Sequence, residues 1–163
     1  METPTQEKAA LELRAQEGHE RWKTSRIVIK SDELAFKTSS SGTVAQHVSP
    51  ANGFANRQIS GFIREIPPGW KSGRHRHNME AIIHVLEGSG YTEIDGVKFE
   101  WRAGDTISVP PMSEHQHFNM EMSRRVRLFA VHTASLMSNI GSFDFVPTGN
   151  AGRIEAKVSE SAT

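Results

Sequence analysis

Eight histidines occur in the chain, and five of them, His75, His77, His84, His115 and His117, fall between residues 75 and 117. On a β-strand, residues i and i+2 point to the same face about 6.6 Å apart, so His75 and His77 can converge on one ion. His115 and His117 repeat that spacing forty residues later. Four strand-like segments intervene, the separation a barrel needs to bring a second strand opposite the first, so a third ligand is available. Neutral imidazole suits iron, copper, nickel and zinc, and sites of histidine alone or histidine with carboxylate are the usual catalytic kind. A single His-x-His pair is a common surface feature, and most histidines only hydrogen-bond. Two such pairs, each preceded by a glycine and a proline at matching offsets, favour the metal reading. With no cysteine in the chain, any metal must be held by nitrogen and oxygen.

The composition narrows the setting of this chemistry. The chain has 163 residues, 36% of them apolar, with 19 basic and 19 acidic side chains and no net charge, which suits one compact domain. The two signs are interspersed, leaving no basic footprint for nucleic acid, so a small molecule is the expected partner. No apolar run approaches the ~20 residues of a membrane-spanning helix. The N-terminal residues carry acid and lack an apolar stretch, so the expected location is cytoplasmic.

Residues 6–23 are rich in helix formers, with Ala10 and Leu13 at helical spacing, and predict one amphipathic N-terminal helix. Residues 38–43 have loop chemistry. From about residue 58 to 133 the chain consists of short β-rich runs broken by Gly, Pro and Asp-Gly. Strands are expected over 58–66, over 74–86 with a break near Asn78, over 106–109 and over 125–133. Residues 91–94 should pair with 97–101 across Asp95-Gly96, a strong hairpin signal. Short antiparallel strands without intervening helices predict an all-β sandwich or barrel. The expected division is a helix and lead-in over 1–57, a barrel over 58–146, and a flexible tail over 147–163, where few apolar residues remain to be buried.

Gly69-x5-His75-x-His77 followed by Gly88 resembles the first motif of the cupins, and Gly104-x5-Pro110-x4-His115-x3-Asn119 resembles the second. The resemblance covers roughly residues 58–133 and implies the cupin fold, a double-stranded β-helix or jelly-roll barrel. Many cupins place a glutamate ligand seven residues before the glycine that closes the first motif, and here that position is Ala81. Glu80, beside it, has the opposite parity to His77, and only a β-bulge would bring it back. The missing fourth ligand makes the chain look like gentisate 1,2-dioxygenase and related ring-cleaving cupins, in which three histidines hold a ferrous ion. That resemblance implies His75, His77 and His115 as ligands of Fe(II), with Zn, Ni or Mn as other candidates. Those enzymes are mostly two-domain chains of about twice this length, so a single-domain relative is implied. Cupin barrels often associate through their sheets, which implies a homodimer or higher oligomer.

Three neutral ligands leave the ion its full charge, so the site favours an anionic, chelating guest. Octahedral iron would keep three positions free, enough for a bidentate hydroxylated aromatic and O2. The leading expectation is therefore a dioxygenase that cleaves the ring of a gentisate-, hydroxybenzoate- or catechol-like substrate. His117 shares parity with His115 and is either a catalytic acid/base and substrate contact or a hydrogen-bonded structural residue. Met79, Ile83, Val85, Met112 and Phe118 are candidates for an apolar substrate pocket, with barrel core as the alternative for each. His84 falls on the other face. Arg64, Arg125 and Arg127 lie on strands and either supply a carboxylate fork or are surface charges. His19, His47 and His132 have no assigned role, and Asn119 is expected to fasten a turn. Two other readings stand beside the dioxygenase. One is an isomerase or lyase using a divalent ion as Lewis acid; the other is a non-catalytic cupin, either a ligand-binding protein or the small subunit of a two-component dioxygenase.

Overall fold

The structure is a computed structural model that describes residues 5–155. It opens with α1 (Gln6–Thr24), whose first turn is capped by the Thr5 hydroxyl accepting from the Lys8 amide. Glu7 near its start and Arg21 and Lys23 near its end oppose the helix dipole. No residue of α1 is buried, and Leu11 and Leu13 face solvent. Its formation therefore rests on propensity and capping, and the expected apolar stripe contributes nothing to the core.

The strands follow in chain order as β1 (Lys37–Ser39), β2 (Gly42–Val48), β3 (Ser60–Ile66), β4 (Trp70–Lys71), β5 (Arg74–His77), β6 (Ala81–Glu87), β7 (Ser89–Ile94), β8 (Val97–Arg102), β9 (Thr106–Val109), β10 (His115–Asn119) and β11 (Val126–His132). A short helix, α2 (Ala134–Asn139), leads to β12 (Phe145–Gly149) and β13 (Gly152–Arg153). One sheet runs β1-β2-β3-β11-β6-β9; the other runs β12-β5-β10-β4-β13, with β7 pairing β10 on its far side and β8 pairing β7. The pairings between these strands are antiparallel. This is an all-β jelly-roll architecture of the kind the motif resemblance implied, two sheets closed over a common interior.

Alternation builds the core. In β6, Ala81, Ile83 and Val85 are buried while Ile82, His84 and Leu86 are exposed. Val126, Leu128 and Ala130 of β11 meet them, and Ile66, Trp101, Ile107 and Val109 complete the cluster. Gly88 closes the first motif at φ +87°, and a Cβ there would come within 2.7 Å of Val126 Cγ2, so the turn from β6 into β7 admits no side chain.

Strand pairing extends beyond residues 58–146 on both sides. β2 runs along β3 from Thr43 opposite Glu65 to Val48 opposite Gly61. Phe145 to Gly149, placed partly in the expected flexible tail, pairs with His77 to Arg74, and β13 pairs with β4. β12 and β13 lie at the sheet's edges and are joined by backbone hydrogen bonds, not by side-chain burial, so their polar and Pro-containing sequences carry no strand signal. The rest of that tail, residues 156–163, lies outside the described residues, as do residues 1–4 of the lead-in. Among the described residues, no helix is long and apolar enough to cross a membrane.

Candidate metal centre

β5 turns His75 and His77 to the interior, 5% and 7% exposed, while Arg76 between them faces out. β10 does the same with His115 and His117. Because β5 and β10 are neighbours, His115 is the direct cross-strand partner of His75. The ring centroids are 4.3 Å apart for His75 and His115, 4.8 Å for His77 and His115, and 5.5 Å for His75 and His77. One ring nitrogen from each lies within 4.8 Å of those of the other two, and this trio contains no carboxylate.

The backbone decides which nitrogen of each ring is available. Nδ1 of His75 lies 3.0 Å from the Gly73 carbonyl, Nδ1 of His77 2.9 Å from that of Met79, and Nδ1 of His115 3.0 Å from that of Ser113. A carbonyl oxygen only accepts, so each Nδ1 carries the hydrogen and donates it, which leaves a lone pair on each Nε2. Desolvation, with the neighbouring histidines and Arg64 adding repulsion, pushes His75 down to about 3 and His115 to about 4. Burial lowers His77 as well. The three rings are thus neutral at physiological pH, with unprotonated nitrogens converging in a buried space. That donor set fits a divalent transition ion.

Two further histidines line the same cavity with the opposite tautomer. Nδ1 of His117 is 2.8 Å from the Thr92 hydroxyl, which already accepts from the Trp101 indole at 2.9 Å. Thr92 is fully buried, so its hydroxyl hydrogen goes to the acceptor at hand, Nδ1, and His117 bears its hydrogen on Nε2. His132 accepts the Ala134 amide at Nδ1, and its neutral ring likewise carries Nε2–H. Sequence reasoning missed His132; its signal was parity, since Leu128 and Ala130 on the same strand face inward.

The cavity holds about 580 Å³ and is lined by residues of β2, β3, β5, β6, β10, β11, α2 and β12. Met79 and Ile83 line it, with Phe62, Leu128, Ala130, Phe143 and Phe145. Three of the expected pocket residues lie elsewhere. Val85 is fully buried in the core beyond Ile83. Met112 sits at φ +62° in the turn after Pro110-Pro111, where its amide donates to the His77 carbonyl and its side chain is 47% exposed. Phe118 has the opposite parity to His117 and stacks on Tyr91 at 4.3 Å on the far face of β10. Asn119 ties the loop after β10 to β3, with its amide nitrogen near the carbonyls of Ile66, Pro67 and Arg124.

Ala81 is buried and lines the cavity, while Glu80 is exposed and outside it, so among the described residues no carboxylate is brought to the trio. His84 faces out and meets Thr106. Of the three arginines expected on strands, Arg64 and Arg127 lie on β3 and β11 while Arg125 falls just before β11; Arg125 and Arg127 pair with Glu65 away from the cavity, and Arg64 lines it.

Residues 62–132 match the sequence profile of the cupin domain. Over 77 residues the chain is 32% identical to gentisate 1,2 dioxygenase 1 of Aquipseudomonas alcaligenes, an alignment covering 47% of this chain and 22% of that one. It is 36% identical over 83 residues to the dimethylsulfoniopropionate lyase DddW of Ruegeria pomeroyi, covering 51% of this chain and 49% of that one. The chain therefore spans less than half the length of these curated relatives. Salicylate 1,2-dioxygenase from Pseudoaminobacter salicylatoxidans, solved with gentisate, superposes with a TM-score of 0.62 over 85% of this chain and 36% of that one. At 14% identity, that likeness shows the fold alone.

Proposed function

We propose that this chain, which carries a cupin domain, is a metal-dependent dioxygenase that binds Fe(II) through His75, His77 and His115 and cleaves a hydroxylated aromatic ring. The observation that carries the reading is the set of three Nδ1–H donors tied to backbone carbonyls, which leaves three neutral Nε2 lone pairs facing one another and, among the described residues, no carboxylate beside them. The similarity to gentisate-type dioxygenases supports the choice of reaction. Iron held in this way supplies open coordination positions and electrons for reaction with dioxygen.

The chain's own residues account for the rest. His117 and His132 present Nε2–H donors to the cavity and orient an oxygen-bearing ligand. Met79, Ala81, Ile83, Leu128 and Ala130 form an apolar wall that excludes water. The ion pairs of Arg125 and Arg127 play no part.

The test is metal analysis of protein purified without oxygen, followed by oxygen uptake with gentisate, salicylate, catechol and hydroquinone. Bound iron with stoichiometric oxygen consumption and a ring-opened product is the expected result. Bound metal without oxygen uptake on any of them would overturn the dioxygenase assignment. It would favour the second reading, a Lewis-acid lyase, which the identity with the dimethylsulfoniopropionate lyase supports. A chain that binds no metal would leave only a non-catalytic binding role.

A further inference from the structure

One residue too many stands between β4 and β5 for an unbroken ladder along β10. Lys71 lies across from Phe118, and His75 lies across from His115. Residues 72–74 therefore face only residues 116 and 117, which makes a β-bulge. Its consequence is a change of face, since side chains directly opposite in a ladder share one side of the sheet. Continued from Lys71 without the extra residue, the register would set Arg74, not His75, across from His115. His75 and His77 would then share the outer face that Phe118 shows to Tyr91, and Arg74 and Arg76 would point at the cavity.

The bulge is held on every side. Ser72, 2% exposed, donates its amide to the His117 carbonyl at 2.9 Å, and its hydroxyl oxygen accepts the His117 amide at 3.0 Å. In a regular antiparallel pair the Ser72 carbonyl would take that second bond. Here the carbonyl accepts from Nε2 of Gln116 at 2.6 Å instead, so the hydroxyl stands in for the backbone. The hydroxyl hydrogen donates to the Gly73 carbonyl, 3.2 Å away, the same oxygen that fixes Nδ1–H of His75. Gly73 donates its amide to the Ser41 carbonyl at 3.0 Å, and a Cβ on it would come within 2.8 Å of Ser41 Cα. The turn between β1 and β2 thus closes over the bulge at a distance that only glycine allows.

We infer that Ser72 is a positioning residue for the trio: the bulge it holds turns His75 and His77 onto the face of His115, and its hydroxyl ties the carbonyl that orients His75 to the backbone of His117. The inference rests on the reading of the trio as a metal site. Without the hydroxyl, the His117 amide is buried with no acceptor. The ladder relieves that cost by sliding toward the unbroken register, which draws the His75 ring away from His115.

The test sets Ser72→Ala beside Ser72→Thr and reads each in two ways. On the metal-free chain, nuclear Overhauser contacts between the ring protons of His75 and His115, whose centroids are 4.3 Å apart, should fade in Ser72→Ala and persist in Ser72→Thr. Zinc affinity by competition titration should fall at least ~10-fold in Ser72→Ala and stay within about 3-fold of the parent in Ser72→Thr, which keeps the hydroxyl. A Ser72→Ala chain that melts lower yet keeps both the ring contacts and the zinc affinity would show a purely structural serine and overturn the inference. Should that variant not fold, Gln116→Met decides, because it removes a second bond of the bulge and spares the hydroxyl: weakened ring contacts and zinc binding support the inference, and unchanged ones overturn it. Ring contacts that depend on Ser72 in a parent chain that takes up no zinc refute the metal reading and keep this one. Zinc binding that is equal with and without the hydroxyl does the reverse.

Discussion

His115 stands directly across the antiparallel ladder from His75, with their ring centroids 4.3 Å apart. A backbone pairing between β5 and β10 thus sets the spacing of two of the three candidate ligands, and the i+2 rule of a single strand sets the third. The rings were not drawn together by any attraction of their own: two neutral imidazoles with facing lone pairs gain little without an ion between them.

Replacing His75 or His115 with alanine should drop metal content from about one equivalent to under ~0.1 in chains loaded anaerobically with Fe(II). The metal-free variants should melt within a few degrees of the parent, because the ladder is held by backbone hydrogen bonds. Retained metal in either variant would refute the ligand assignment.

Thr92→Val should leave the Trp101 indole without an acceptor and free the His117 ring. The expected cost is about 1–3 kcal/mol of stability, read by urea denaturation. Metal content should be unchanged while turnover falls by roughly 10- to 100-fold. Normal turnover would show that the orientation of His117 is immaterial.

Asn119→Ala should destabilise the fold by about 3 kcal/mol, since a fully buried amide loses two N–H donors shared among the Ile66, Pro67 and Arg124 carbonyls and the Oδ1 that accepts from the Glu121 amide. Metal affinity in the folded fraction should be unaffected. A denaturation midpoint equal to the parent's would mean that the loop is held by other contacts.

Acid should unfold the metal-free chain. Burial holds His75 at about 3, and His115 and His132 at about 4, against about 6.5 for an unfolded histidine. Above pH 6.5 both states are neutral at these sites, and nothing is lost. As pH falls below that value, the unfolded chain binds protons first, and each such histidine removes up to about 1.4 kcal/mol per pH unit until its folded form titrates. Urea midpoints at pH 7.5 and pH 5 should therefore differ sharply, and His132→Phe should shrink the difference. Equal midpoints would contradict the burial of neutral rings.

The strands expected between residues 58 and 133 were legible because each obeys a local rule, whereas the two-residue β4 (Trp70–Lys71) was not expected. β6 alternates through Ala81, Ile83 and Val85, and Asp95-Gly96 turns β7 into β8. The same alternation went wrong where parity was not applied or where the chain leaves the strand. Phe118, one residue past His117, faces away, and Met112 lies in a left-handed turn that no period describes. β13 and the part of β12 from Pro147 onward were read as a loose tail because edge strands are held by their neighbours' backbones, and nothing in Phe145–Gly149 announces a partner. Arg64 looked no different from Arg125 or Arg127 until the registers of β3 and β11 put it inside and Arg127 outside, with Arg125 just before β11.

The residue pattern alone determined the all-β class, the two motifs that resemble those of cupins, the three histidines and the missing acid at Ala81, because these depend on residue type and spacing along one strand at a time. Tertiary structure decided which nitrogen each ring offers, that His132 and Arg64 share the cavity with the trio, and that the guanidinium there has no counter-charge among the described residues. Those properties arise between strands far apart in the chain, where register, carbonyl direction and burial are set by the closed pair of sheets and not by any local sequence.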